Sequence, residues 1–129
     1  MKPRTPEPGP LLTDRIIRLA IKVHRTLGPG LLEAVYNQCL CYELHQDGLA
    51  FEREVPLPII YETMRIEKGY RADIIIAQTV LLELKCVDHI LPVHKAQTLT
   101  YLRLSNCPIA LLMNFNTVLL RDGLHRLIP

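Results

Sequence analysis

Between residues 13 and 27 the apolar positions Ile16, Ile17, Ala20, Val23 and Leu27, with His24 among them, recur at helical spacing. The pattern predicts an amphipathic helix with Thr13 or Asp14 as its N-cap. Gly28-Pro29-Gly30 ends it, and residues 31–47 predict a second helix closed by Gly48. Beyond Gly48 the period drops to two. Phe51, Arg53 and Val55 alternate with Glu52 and Glu54 in a segment that runs through Pro56 and Pro58 to Tyr61, and the prolines predict an edge strand or a bulge. Residues 65–76 and 80–85 are rich in β-branched and aliphatic side chains, and they predict an antiparallel hairpin around Ala77-Gln78-Thr79. Pro92 introduces a third helix over residues 93–104. An apolar run at 109–113 and short strands at 118–120 and 124–128 complete the order ααβββαβββ, an α/β layered domain.

That hairpin carries the candidate chemistry. A turn centred on Gln78 sets Asp73 opposite Glu83, and Lys85 shares their side because the strand period is two. Ile74, Ile76, Leu82 and Leu84 then point to the opposite, buried face. Two acids directly opposite in a sheet repel, so a cation is expected beside them. Lys85 alone could supply it, in an ordinary surface ion-pair ladder. Two converging carboxylates also suit Mg²⁺ or Mn²⁺, with water completing the coordination.

Composition bounds these readings without choosing among them. A chain of 129 residues, 49% hydrophobic and 22% charged, fits one domain with one core, so a metal here is expected to serve chemistry. The first ten residues hold four prolines and read as a flexible arm (1–10) ahead of a single domain (11–129). Cys39, Cys41, Cys86 and Cys107 form no C-x-x-C pair, which leaves zinc and redox readings weak. Free thiols, no leader and no long apolar run predict a cytoplasmic protein with no membrane partner. A net charge of +2 is too small to announce nucleic-acid binding in bulk, so any phosphate-binding surface must be local.

Asp73 with Glu83-Leu84-Lys85 ten residues later, and a helix beyond, resembles the PD-(D/E)XK nuclease superfamily. More narrowly, Gly30-Leu31-Leu32-Glu33-Ala34-Val35-Tyr36 resembles the motif of the GxxExxY family, a prokaryotic branch of it, and the likeness continues through His94, Gln97, Tyr101 and residues 111–116. The resemblance implies a nuclease-like core, a mixed sheet flanked by helices, and magnesium-dependent cleavage of nucleic acid, DNA favoured over RNA. It implies Asp73 and Glu83 as metal ligands, Lys85 as the group assisting water, Glu33 completing the metal or water shell, and Gln97 steadying the site. Ala72 stands where the superfamily name has proline.

Other residues read more plainly. Tyr36 is expected to pack or hydrogen-bond locally, and His24 on its apolar face to be a packed histidine. His94 and Tyr101 share the Gln97 stripe and stand equally for substrate contact or structure. Glu52 and Glu54 could approach the site or line an exposed strand. Asn114 to Thr117 and Arg121-Asp122-Gly123 predict turns. Two further functions stay open: a non-catalytic nucleic-acid- or protein-binding module on the nuclease fold, and a small oligomeric or toxin-associated accessory protein. The oligomeric state is open, a homodimer among the options.

Overall fold

The structure, a computed structural model, describes residues 9–129. The arm assigned to residues 1–10 lies outside them up to Pro8, and Gly9 and Pro10 already belong to the first helix.

Helix α1 (Gly9–Leu27) buries Leu12, Ile16, Ala20 and Val23, a spacing of three and four that gives one apolar stripe. It starts a turn before the expected cap, so Thr13 is a buried residue inside the helix and not its N-cap. Helix α2 (Glu33–Gln46) ends at Gly48, whose φ of +75° reverses the chain while Leu49 donates back to the Leu44 carbonyl. Arg15 ties the two helices together through Asp47 at 2.7 Å.

Five strands form the main sheet: β1 (Phe51–Pro56), β4 (Arg71–Ile76), β5 (Val80–Lys85), β6 (Ile109–Asn114) and β7 (Leu124–Leu127), in the order β1-β4-β5-β6-β7. The pairing is antiparallel except between β5 and β6, which run parallel because helix α3 (Pro92–Ser105) crosses over between them. Strand β1, ending in Pro56, lies at an edge as the prolines predict. One cluster of buried residues packs α1 and α2 on the face carrying Ile74, Ile76, Leu82, Leu84 and Leu111. A second packs α3, through Tyr101 and Leu102, on the face carrying Ile75, Leu81 and Ala110.

Three strand expectations need correction. Residues 51–61 do not form one strand: β1 ends at Pro56, paired with Arg71, Leu57 and Pro58 lie between strands, and β2 (Ile59–Tyr61) pairs with β3 (Met64–Ile66) as a separate hairpin. Residues 65–76 likewise divide into β3 and β4, around Gly69 at φ +77°. Residues 118–120 form no strand; the chain enters a 3-10 turn (Leu120–Gly123) and then β7. There a Cβ on residue 123 would meet the Asn114 carbonyl oxygen at 2.4 Å, so only glycine fits.

Tyr36, fully buried, fixes the loop between α1 and α2. Its hydroxyl donates to the Gly28 carbonyl and accepts the Leu31 N–H at 3.2 Å, and its ring stacks on Phe115 with centroids 4.7 Å apart. The local packing role expected of it holds. His24 is also packed, its Nε2 2.8 Å from the Thr117 carbonyl oxygen. Tyr36→Phe keeps the stack and removes both hydrogen bonds, so it should cost about 1–2 kcal/mol and lower the melting temperature by roughly 3–8 °C. A thermal melt checks this, and an unchanged midpoint would show that the hydroxyl contributes nothing.

Candidate active site

Strand β5 is the middle of the sheet, and every residue from Val80 to Leu84 is buried, including Glu83 at 4% exposure. A carboxylate there has lost nearly all its water, so it needs hydrogen bonds, a counter-charge or a proton. Its surroundings follow from the hairpin register. The β4–β5 ladder pairs Ile76 with Val80, Ile75 with Leu81 and Ile74 with Leu82, around a turn with positive φ at Ala77 and Gln78. One step further in this register Asp73 stands opposite Glu83, and there the regular ladder stops.

At that point side chains replace the backbone pairing. The Asp73 N–H donates to Glu83 Oε1 at 3.0 Å, and the Leu84 N–H donates to Asp73 Oδ2 at 2.8 Å. Each acid therefore caps a backbone group beyond the ladder's end. Burial first, and the Asp73 charge second, push the Glu83 carboxyl up to about 8. Asp73 is raised too, chiefly by burial, against the lowering effects of the Leu84 N–H and Lys85. At neutral pH Glu83 is thus held mainly protonated beside the half-buried Asp73, in the place where a cation would remove their repulsion. Magnesium commonly uses one or two carboxylates and keeps several waters, so this donor set fits a divalent ion.

Lys85 makes no direct ion pair among the described residues, so an ion-pair ladder is not what holds the acids. Its ammonium donates to Gln97 Oε1 at 3.4 Å, and Gln97 Nε2 donates to the Tyr101 hydroxyl at 3.1 Å. Gln97 and Tyr101 lie one turn apart on α3, and Tyr101 is 7% exposed. Burial and then the Glu83 charge raise its phenol above the ordinary range. His94, from the same stripe, does other work: its Nδ1 accepts the Leu91 N–H at 2.9 Å and caps α3.

Glu33 opens α2 on the other face of the sheet, where the helix dipole favours an acid. It is exposed and feels both Asp73 and Lys85, and burial of its carboxyl is the main cause of its raised pKa. Among the described residues no three histidines, cysteines or acids form a ready metal cage. The expected trio of Glu33, Asp73 and Glu83 is accordingly a close pair with a third acid at electrostatic range, because Glu33 comes from a different layer.

One contributor, Asn114, escapes a reading of sequence alone, and a second, Glu54, is one of two acids the sequence left between the site and an exposed strand face. Asn114, at the end of an apolar run, is buried. Its side chain accepts from the Val87 and Asn116 N–H groups and donates to the Val87 carbonyl, clamping the loop that leaves Lys85. Glu54 is opposite Asp73 in the β1–β4 register, where that ladder also breaks, and its backbone is left-handed at φ 49°. It raises the Asp73 pKa and lies 3.7 Å from Arg71.

The raised Glu83 pKa links stability to pH. The metal-free folded state holds its proton more tightly than the unfolded chain does. Stability from this group is therefore complete below about 4.5 and is lost as pH rises towards about 8. Glu83→Gln removes that dependence, so between pH 5.5 and 8.5 in EDTA the wild-type melting temperature should fall several degrees further than the variant's. Parallel curves for the two proteins would show that Glu83 is not held protonated.

A family model for the PD-(D/E)XK nuclease superfamily matches residues 11–127. No curated protein and no solved structure gives a significant match. The matched span includes the acid pair, Lys85 and all three helices, apart from the first two residues of α1, on a mixed five-stranded sheet between helical layers. On that match the chain belongs to the PD-(D/E)XK nuclease superfamily.

Proposed function

We propose that the protein hydrolyses phosphodiester bonds of nucleic acid at the Asp73–Glu83–Lys85 centre, using Mg²⁺ or Mn²⁺ held by Asp73 and Glu83, with DNA favoured over RNA. The observation that carries this reading is the pairing of the half-buried Asp73 with the buried Glu83 at the end of the β4–β5 ladder, each carboxylate accepting an N–H from the other strand. When bound, the ion supplies polarisation of the scissile phosphate and a lowered pKa for an attacking water. The backbone N–H groups of Asp73 and Leu84 hold the two carboxylates in place before anything binds. Lys85, on the same face and kept by Gln97 from swinging free, is placed to donate to that water or to a phosphate oxygen. Tyr101 orients Gln97 in turn. Glu33, at the rim, is suited to hold water and not the ion itself.

Gly30, Glu33 and Tyr36 support placement in the GxxExxY branch. Gly30 sits at φ +96° and Tyr36 locks the loop, so the spacing of that motif delivers Glu33 to the start of α2 beside the centre. Four free thiols support a cytoplasmic location. No helix among the described residues is long and apolar enough to cross a membrane.

Purified protein incubated with labelled single-stranded, duplex and branched DNA, and with RNA, in Mg²⁺ and in Mn²⁺ should cleave DNA, and Asp73→Ala should not. Cleavage that persists in the variant would assign the activity to a contaminant. Binding without cleavage in either metal would return the alternative of a non-catalytic binding module. Lys85→Ala should lower turnover by about a hundredfold or more while changing affinity little, because its contact is made mainly to reacting atoms. Equal losses in both would make Lys85 a binding residue.

Metal should also stabilise the fold. For a dissociation constant near ~1 mM, ~10 mM Mg²⁺ contributes about 1.4 kcal/mol, a rise of a few degrees in melting temperature. Asp73→Asn and Glu83→Gln at matched ionic strength should lose this rise. A shift shared by all three proteins would be surface screening only.

A further inference from the structure

The β2–β3 hairpin stands apart from the main sheet and is joined to it at its base, where the Leu57 N–H donates to the Tyr70 carbonyl at 2.8 Å. Its outer part is apolar and uncovered: Ile60 is 58% exposed, Tyr61 62% and Met64 54%. Along its foot runs a groove of about 440 Å³, lined by Arg65, Lys68 and Arg71 with Tyr70 between them. This groove brings three cations together on a chain whose net charge is only +2.

Two of those cations hold carboxylates at the surface, Arg65 with Glu67 at 2.7 Å and Arg71 with Glu54 at 3.7 Å, and Lys68 has no ion pair among the described residues. Exposed pairs of this kind contribute little stability, so the guanidinium groups are free to exchange a carboxylate for a phosphate of similar geometry. The groove also leads to the acid pair. The Tyr70 ring lies 6.4 Å from that of Tyr101, whose hydroxyl holds Gln97 beside Lys85, and Arg71 is two residues from Asp73 on β4.

We infer that the β2–β3 hairpin is the substrate-holding arm of this protein: Arg65, Lys68 and Arg71 grip the phosphates of a nucleic-acid strand leading to Asp73 and Glu83, and the exposed Ile60, Tyr61 and Met64 lie against its sugars and bases. The inference rests on the nuclease reading for the identity of the strand. It gives the protein a local phosphate-binding surface where bulk charge supplies none, and it accounts for apolar side chains that no core covers.

The test separates this inference from the nuclease reading by measuring binding and cleavage independently. Affinity for fluorescently labelled single-stranded and duplex DNA is measured in EDTA across a salt series, and cleavage of the same oligonucleotides in Mg²⁺ and Mn²⁺. Arg65→Ala combined with Lys68→Ala should weaken binding about tenfold or more near ~0.1 M salt and lower the salt slope by about two. Lys68→Arg should bind as wild type does. Arg18→Ala, an exposed cation on α1, should leave affinity nearly unchanged. Thermal melts confirm that each variant is folded. Wild-type affinity and slope in the folded double variant would overturn the arm, as would equal weakening by Arg18→Ala. A wild type that binds no nucleic acid would overturn both the arm and the nuclease. Weakened binding by the double variant with no cleavage in either metal would leave the arm standing and remove the nuclease.

Discussion

Two carboxyl groups set against one another, the buried Glu83 and the half-buried Asp73, set the terms for the rest of this structure. A sheet centre occupied by Val80, Leu81, Leu82 and Leu84 has no use for an acid in the same strand as far as packing goes. The acids survive there because the β4–β5 ladder stops after Ile74 and Leu82, so that N–H groups beyond its end need acceptors and the carboxylates supply them. Charge placed at a cost in stability and offset by local hydrogen bonds is what the proposed catalytic reading calls for, and packing alone gives no reason for it.

The surrounding layers hold this end of the sheet open. The parallel pairing of β5 with β6 aligns Lys85 with Asn114, so both strands end on the same side, as in α/β sheets whose ligands bind at the carboxyl ends. Asn114 clamps the outgoing loop, Phe115 donates its N–H to the Lys85 carbonyl, and Phe115 in turn is stacked on Tyr36. A single chain of contacts thus runs from the α1–α2 loop to the residue after the motif. Helix α3 closes the opposite face and brings Gln97 to Lys85, while α2 begins at the rim with Glu33.

Much of this was legible in the residues. Period-two alternation and the Ala77-Gln78-Thr79 turn were enough to place Asp73 across from Glu83, because a register error of one would have turned the aliphatic side chains of β4 and β5 out of their core. The helices were readable from their spacing, and Gly48 from its stop position. Strand continuity was not. Residues 51–61 and 65–76 have strand-like composition throughout, and the separate β2–β3 hairpin depends on Pro56, Pro58 and Gly69 acting together, which no local pattern ranks above one long bulged strand. Asn114 was hidden for another reason. An asparagine beside Asn116 and Thr117 looks like a turn residue, and only burial turns its amide into a clamp for a loop 27 residues away in sequence.

The division of the polar residues by exposure also orders their roles. Asp73 and Glu83 are fixed by strand backbone and by burial, so their geometry is set before any ligand arrives. Glu33 and Gln97 reach the same place from two helices on opposite faces of the sheet, and both are exposed. Side chains held this way pay an entropic cost on engaging a ligand that the acid pair does not, which is the physical ground on which the proposed function gives them water and substrate and gives the pair an ion. The same logic explains why Lys85 is only half-buried. A lysine sunk as deeply as Glu83 would relieve the acids directly; one held by Gln97 favours their charged forms without overcoming the burial that disfavours them.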